Sequence, residues 1–284
     1  MMRKTLKKAV VKAAILLPGL FFCVPVLFLL SGSVMSRYEL RESLLPLMSD
    51  MERLITWKFF PSYPTFSHYA KILFQTPQFF TVFWNSMKLV VCILLGQLLI
   101  AVPAAWAFAV YPFRFRKLLF TSYIVLMLMP FQVTMLSSYL VLDGLELMNT
   151  HKAIILPAVF STYPVFLVYR GFCNLPKGLM EAARIDGAGE WMIFVKLGLP
   201  LASGGILSAM VLGFLEYWSL IEQPLAFLEE QSLWPLSLYL PEISLEQAGY
   251  SFVAAVLTLI PAVFVFLSGR EYLEQGIVAS GLKE

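Results

Sequence analysis

Few residues of this 284-residue chain have the types and spacing that chemistry at a site requires. The two histidines, His68 and His151, are far apart in the sequence, whereas a metal site needs several ligands that converge. The sequence contains no phosphate-binding glycine loop of the G-x-x-x-x-G-K-S/T type, so we do not expect this chain to bind and hydrolyse ATP in that way. The one remaining candidate is Glu216, an acid in an apolar run. It suits a proton or ion relay, or alternatively a position at a membrane interface.

A different kind of site is indicated by residues 181–200, which read EAARIDGAGEWMIFVKLGLP. Pro176 suits the first turn of a helix, residues 177–186 are good helix formers, and Gly187 suits a left-handed C-terminal cap. The pattern predicts a helix, a glycine turn and a second helical segment. Small and charged side chains on such a helix favour close approach by another protein, and an ordinary amphipathic connector explains them equally well.

The elements that must position this stretch belong in a membrane. Hydrophobic residues make up 59% of the chain and charged residues 14%, against about 25% charged in soluble proteins. A bilayer core needs about 20 apolar residues per helix, and backbone groups in lipid must be satisfied internally. The sequence therefore predicts an all-α integral membrane protein with six transmembrane helices. Their apolar runs cover residues 13–34, 89–110, 118–142, 153–169, 199–221 and 252–267.

We divide the chain into a cytoplasmic N-terminus, a first transmembrane helix, an external segment and a transmembrane domain. These regions cover residues 1–12, 13–35, 36–80 and 81–284, the last including the loop 176–200. The first apolar run exceeds the roughly 7–15 residues of a signal peptide core, so we expect an uncleaved anchor. The aromatic residues of the external segment are typical of an interfacial belt, and a docking surface for an external partner is the alternative.

The distribution of Lys and Arg orients these helices. With the N-terminus inside, 14 of the 21 basic residues fall in the inner segments. Cytoplasmic loops carry the excess of Lys and Arg, so we expect both termini and the loop 176–200 to be cytoplasmic. The protein is expected in the plasma (inner) membrane as a multi-pass protein in contact with lipid. Nothing in its charge suggests a nucleic-acid partner.

The loop also resembles a known motif. The spacing of Glu181-Ala182-Ala183, Gly187, Leu197 and Leu199-Pro200 is similar to that of the EAA loop of binding-protein-dependent ABC importer permeases, with Leu197 where the motif favours isoleucine. Several further segments resemble the sugar permeases of the maltose-transporter type. These are residues 83–86 (FWNS), 104–109 (AAWAFA), 130–133 (PFQV), 142–145 (LDGL) and 149–150 (NT).

The resemblance implies a type I ABC importer fold in which the EAA loop forms a cytoplasmic coupling helix that docks on an ATPase. The residues carried over to this role are Glu181, Ala182, Ala183, Arg184, Asp186, Gly187, Leu199 and Pro200. It further implies a homologous second permease subunit, two cytoplasmic ATPase subunits and an external solute-binding protein as partners. This chain would then bind no cofactor and would not be an enzyme, since ATP and Mg would be used by the partner ATPase.

The resemblance is weakest toward the substrate side. Residues 218–220 read Trp-Ser-Leu where such permeases commonly have Trp-Asn-Asp, and residues 36–58 have no clear counterpart. We expect Gln132, Glu216 and Trp218 along the solute path, since the fifth span supplies path residues in the family. The expected solute is a sugar or oligosaccharide delivered by the binding protein. A non-sugar solute is one alternative, an ion-coupled secondary transporter a more distant one, and a purely structural scaffold would leave the loop unexplained.

Overall fold

The computed structural model describes residues 2–48, 57–239 and 247–281, and these fold into helices. Most connections between the helices are short, in keeping with a sequence in which a few polar or glycine residues separate the apolar runs. The long helices are α1 (Met2–Val34), α4 (Pro77–Val110) and α14 (Ala248–Gly281). The others are α2 (Arg37–Met48), α3 (Ser67–Gln75), α5 (Arg116–Met127), α6 (Phe131–Gly144), α7 (Lys152–Val159), α8 (Thr162–Cys173), α9 (Lys177–Ile185), α10 (Glu190–Ile193), α11 (Leu199–Leu201), α12 (Ser203–Trp218) and α13 (Glu222–Phe227).

Four helical stretches in the described part of the chain are long and apolar enough to cross a membrane, and two bent pairs bring the number to six if each pair is one span. The four stretches are Leu16–Val34, Pro77–Val110, Lys152–Cys173 and Ala248–Glu274. The first bent pair is α5 and α6, which meet at 103°, and the second joins Glu190–Leu201 to α12 at 67°. The predicted all-helical membrane architecture is therefore confirmed, with four to six spans.

The bend between α5 and α6 interrupts the third predicted span, residues 118–142. Pro130 precedes α6 with an extended backbone, φ −68° and ψ 149°. Proline cannot donate a backbone hydrogen bond, and it biases the residue before it away from helical geometry, so the helix ends before it and starts again in a new direction. The apolar character continues through the break, which is why hydropathy alone gives one uninterrupted run.

By contacts the chain divides into two compact units, Met1–Phe79 with Leu240–Ile260, and Phe80–Tyr239 with Pro261–Glu284. In the first unit, the buried carboxylate of Glu39 on α2 accepts hydrogen bonds from the backbone N–H groups of Ser62 at 2.6 Å and Tyr63 at 3.3 Å. Burial alone would raise the pKa of Glu39, but these backbone donors outweigh it and lower the pKa. Part of the predicted external segment is thus folded around one buried acid.

The second unit contains the main core, in which α4, α8 and α12 pack around the segment that follows α9. Glycines allow α8 and α12 to approach closely: a Cβ atom on Gly205 would lie 3.1 Å from the Cα of Gly171. The small-residue stripe Gly205, Ala209 and Gly213 of the sequence is therefore a helix-packing surface in this structure.

Candidate functional site

The loop 176–200 forms two short helical segments joined by a glycine turn, as the sequence predicts. The first is α9, which begins after Pro176. The second begins at Glu190 and continues as a π-helical turn over Phe194–Gly198 into α11. The turn between the two segments contains Gly187 and Gly189, and a Cβ atom on either glycine would meet nothing within 4 Å.

Gly187 ends α9 in the left-handed conformation that its position predicts, with φ of +83°. Its own N–H donates to the carbonyl of Arg184 at 3.1 Å, and the N–H of Ala188 donates to the carbonyl of Ala183 at 2.9 Å. This pair of hydrogen bonds is a Schellman cap, which satisfies carbonyls that a helix end otherwise leaves free. Ala183 and Ala188 also both pack against the core, supplying the apolar contact that accompanies such a cap.

The helix α9 has an inner and an outer face. Met180 is buried, and Ala183 packs beside it on the core of the second unit. The outer face is open, and its Ile185 is 85% exposed. Ala182 and Gly187, two of the small motif residues, are exposed as well. The exposed outer face of α9 thus carries one large apolar side chain among small and charged ones.

The remaining residues predicted for coupling lie in α9, in the turn after it and in α11. Glu181, Arg184 and Asp186 are exposed, whereas Leu199 is half-buried against the core and Pro200 is exposed. Arg184 forms an ion pair with Glu190 across the glycine turn at 2.7 Å. That neighbouring carboxylate raises the pKa of Arg184. Glu190 was not among the residues predicted for the site.

An aromatic cluster joins the loop to the membrane helices. Trp106 of α4 packs against Phe172 of α8 and Phe194 of the loop, with ring centroids 5.1 and 5.4 Å away. Gly198 lets the indole come close, since a Cβ atom there would lie 2.7 Å from the ring. The segment AAWAFA that resembles the sugar permeases thus supplies the ring on which the loop rests. The loop is tied to the helix core through this cluster.

Two asparagines from the segments that resemble the sugar permeases hold a second loop, residues 228–236. Asn85 of α4 donates to the carbonyls of Ser232 at 2.7 Å and Trp234 at 3.1 Å. Asn149 accepts from the backbone N–H groups of Glu229 and Glu230 at 3.0 and 3.1 Å. Asn149 itself has a positive φ of 54°, which few residues other than glycine adopt as readily as asparagine. These side chains fix a segment that has little regular structure of its own.

The three residues predicted for the solute path lie in different surroundings. Trp218 is only 3% exposed and packs against Phe83 and Phe214, so its ring is part of the helix packing in this structure. Glu216 is exposed on α12. Gln132 is exposed at the start of α6, and its amide donates to the carboxylate of Glu222 at 2.6 Å.

The pair Gln132 and Glu222 lies in a cavity of about 630 Å³ between α6 and α13. Its other walls are apolar and aromatic, with Phe131 and Tyr139 among them. Sequence reasoning missed Glu222, which lies 90 positions from Gln132. The one available signal was its place two residues after Trp218-Ser219-Leu220, where such permeases commonly have Trp-Asn-Asp.

The two histidines lie in separate surroundings. Neither belongs to a group of three or more candidate metal ligands among the residues that the structure describes. His151 lies 3.0 Å from the carbonyl of Leu233, next to the loop held by Asn149. Burial lowers the pKa of His151 below its usual value, and the hydrogen bond to Leu233 opposes this shift.

Fold and sequence together define the class of protein. The profile of the family described as "Binding-protein-dependent transport system inner membrane component" matches residues 97–279, which is more than half of the chain. The chain belongs to this family, and it is a permease of the ABC importer class.

Individual relatives agree with this assignment. The chain is 31% identical over 237 residues to the arabinooligosaccharides transport system permease protein AraQ of Halalkalibacterium halodurans, covering 82% of this chain and 85% of that protein. It is 26% identical to the lactose transport system permease protein LacG of Rhizobium radiobacter, covering 70% and 74% of the two chains.

Among solved structures, a chain of a bacterial ABC transporter involved in the import of the acidic polysaccharide alginate superposes with a TM-score of 0.74. The identity is 21%, and the match covers 93% of this chain and 95% of that chain. A second match has a TM-score of 0.59, 17% identity and coverage of 95% and 97%. It comes from a bacterial alginate ABC transporter in complex with an alginate pentasaccharide-bound periplasmic protein. At these identities the superpositions establish the fold.

Proposed function

We propose that this chain is one permease subunit of an ATP-driven importer that takes up a carbohydrate delivered by an external solute-binding protein. A second, homologous permease completes the membrane path, and two cytoplasmic ATPase subunits bind and hydrolyse ATP with Mg. This chain does no chemistry of its own. Its loop 176–200 is the coupling element that connects the ATPase to the membrane helices.

The observation that carries this proposal is the two-sided helix α9 in a chain of this family. Its inner face, with Met180 and Ala183, is anchored on the core, so a force applied to α9 reaches the packed helices. Its outer face offers Ala182 and Ile185 to a partner. An ATPase that grips the outer face and moves by a few ångströms would displace α9 and the helices beneath it.

The orientation follows from the charge distribution. Fourteen of the 21 basic residues lie in segments on the side of the loop 176–200, which we place in the cytoplasm together with both termini. The loop that Asn85 and Asn149 fix then lies on the opposite, external side, where the solute-binding protein docks. The partner proteins thus meet opposite ends of the chain.

A carbohydrate is the solute that best fits the relatives and the cavity. Relatives in the arabinooligosaccharide and lactose systems carry sugars in their names. The cavity beside Gln132 combines aromatic rings with an amide and a carboxylate. Rings that pack on the faces of a sugar, with a few polar groups that bond its hydroxyls, are typical of small-molecule sites. We place the solute path along this cavity and keep Glu216 and Trp218 as further candidates in α12.

Purification of the complex tests this function. Affinity-tagged chain, expressed with its genomic neighbours, is expected to bring down a second permease and an ATPase in stable amounts. In proteoliposomes, ATP hydrolysis should rise when the solute-loaded binding protein is added on the external side, and an oligosaccharide should accumulate inside. Recovery of this chain alone, or accumulation driven by an ion gradient without ATP, contradicts the proposal.

A further inference from the structure

Glu190 joins three elements of the molecule through one carboxylate. Arg184, in the last turn of α9, donates from Nε to one oxygen of Glu190 at 2.7 Å and from Nη2 to the other at 3.2 Å. The hydroxyl of Tyr111 donates to that second oxygen at 2.9 Å. Tyr111 follows the last residue of α4, and Glu190 is the first residue of α10. The carboxylate therefore contacts the end of α4 and the end of α9 from the start of α10.

The contact adds little to the stability of the whole chain. The side chains of Arg184 and Glu190 are 39% and 47% exposed, and exposed ion pairs contribute little because water screens them. Its geometry is nevertheless directional, because a guanidinium that bonds both oxygens of a carboxylate fixes the relative orientation of the two groups. The contact is therefore suited to setting an angle between helices.

Within the turn itself, little else restrains that angle. Gly187 and Gly189 lie there, and a Cβ atom on either would meet nothing within 4 Å. The Schellman cap ends α9 without fixing the direction of α10, while Ala188 and the buried Ile193 of α10 pack against the core. Beyond α10, Phe194 packs on Trp106, so the direction of α10 decides how α9 is connected to the membrane helices.

We propose that Glu190 is a positioning residue for coupling. Its hydrogen bonds to Arg184 and Tyr111, here called the clasp, hold α9 to α10 and to the end of α4. These three elements then move as one body when the ATPase moves α9. This inference rests on the coupling role proposed above. Without the clasp, displacement of α9 is absorbed by bending at Gly187 and Gly189, and less of it reaches α4 and α12. The amount of solute transported per ATP hydrolysed therefore decreases.

The test compares charge variants in the reconstituted complex with ATPases and binding protein. Glu190→Gln and Arg184→Glu are expected to assemble normally and to hydrolyse ATP, while the ratio of solute transported to ATP hydrolysed falls several-fold. The double variant Arg184→Glu with Glu190→Arg restores an ion pair in the reverse sense and should recover most of that ratio. Lys117→Gln, which removes an exposed charge from α5 outside the loop 176–200, should leave the ratio unchanged.

The outcomes separate this inference from the coupling role itself. If Arg184 acts by touching the ATPase directly, Arg184→Glu lowers the ratio and Glu190→Arg does not rescue it, which overturns the clasp. A normal ratio in Glu190→Gln overturns it as well. If the wild-type complex shows no stimulation of ATP hydrolysis by loaded binding protein, the proposed function fails, whatever the variants do.

Discussion

At the scale of single residues, the site depends on one backbone conformation and on a few polar contacts. The conformation of Gly187 is predictable, because a positive φ after a helix favours glycine over every other residue. The contacts of Glu190 and Glu222 are not predictable in this way. Each depends on how two separate elements approach, and Glu222 lies 90 positions from its partner Gln132. A residue whose type is set by the local backbone conformation, such as Gly187, can be predicted from the sequence. A hydrogen-bond partner that lies on another helix can be identified only in the structure.

The cap at Gly187 gives a direct prediction. Gly187→Ala places a side chain in the left-handed region at a cost of about 1 kcal/mol, although the added Cβ meets open space. Hydrogen exchange at the amide of Ala188, which donates to Ala183, should accelerate about fivefold, since 1 kcal/mol is about a factor of five in an opening equilibrium. We expect ATP hydrolysis to respond less to loaded binding protein.

The matched control is Gly178→Ala. Gly178 lies within α9, and a Cβ there also meets nothing within 4 Å, but it has no positive φ. In a helix interior, alanine is favoured over glycine by up to about 1 kcal/mol, so this variant should protect α9 or leave it unchanged. Equal rates of hydrogen exchange at Ala188 in both variants would show that backbone strain at position 187 does not weaken the cap.

The pair Gln132 and Glu222 gives a prediction about the solute. Gln132→Leu and Glu222→Gln should weaken the apparent affinity for the carbohydrate about 2- to 10-fold each, because a net hydrogen bond contributes about 0.5–1.5 kcal/mol. Solute-independent ATP hydrolysis should stay near wild type. Asp143→Asn serves as the control, since this exposed acid of α6 lies outside the cavity. Unchanged uptake by both cavity variants would move the solute path away from this cavity.

At the scale of helices, apolar runs predict where helices occur and fail to predict where they turn. The run over residues 118–142 continues through Pro130, yet α5 and α6 meet at 103°. Pro130 predicts a break but not its angle, which the packing of each helix against its own neighbours sets. The small residues Gly205, Ala209 and Gly213 form a packing surface of α12, because small side chains let membrane helices approach closely.

The contact between α8 and α12 is tested by enlarging one residue of that stripe. In Gly205→Leu the first added atom would lie 3.1 Å from the backbone of Gly171, which cannot move aside as a side chain can. We expect a destabilisation of about 1–3 kcal/mol from overpacking, seen as a lower midpoint of thermal unfolding in detergent and a lower yield of the permease pair. Gly144→Leu, at the end of α6 where a Cβ meets nothing within 4 Å, should leave both unchanged. Equal midpoints for the two variants would show that the helices separate easily at Gly205.

At the scale of the whole molecule, the distribution of basic residues predicts that the loop 176–200 is cytoplasmic and that the segment 36–80, which includes Tyr63, is external. The prediction of sidedness rests on the distribution of basic residues, a property of the whole chain. Cysteine labelling in intact cells measures it. The native cysteines Cys23, Cys92 and Cys173 are free and exposed, so the experiment starts from a variant with all three replaced by serine.

In that background, a cysteine at Gly178 should resist a membrane-impermeant maleimide added from outside, and a cysteine at Tyr63 should react readily. Both positions are exposed in the structure, so a difference in labelling reports on sidedness rather than on burial. After the cells are permeabilised, both should react to a similar extent. Ready labelling at position 178 in intact cells would place α9 outside. The ATPase could then not reach it, and the coupling role of the loop and of Glu190 would both fall.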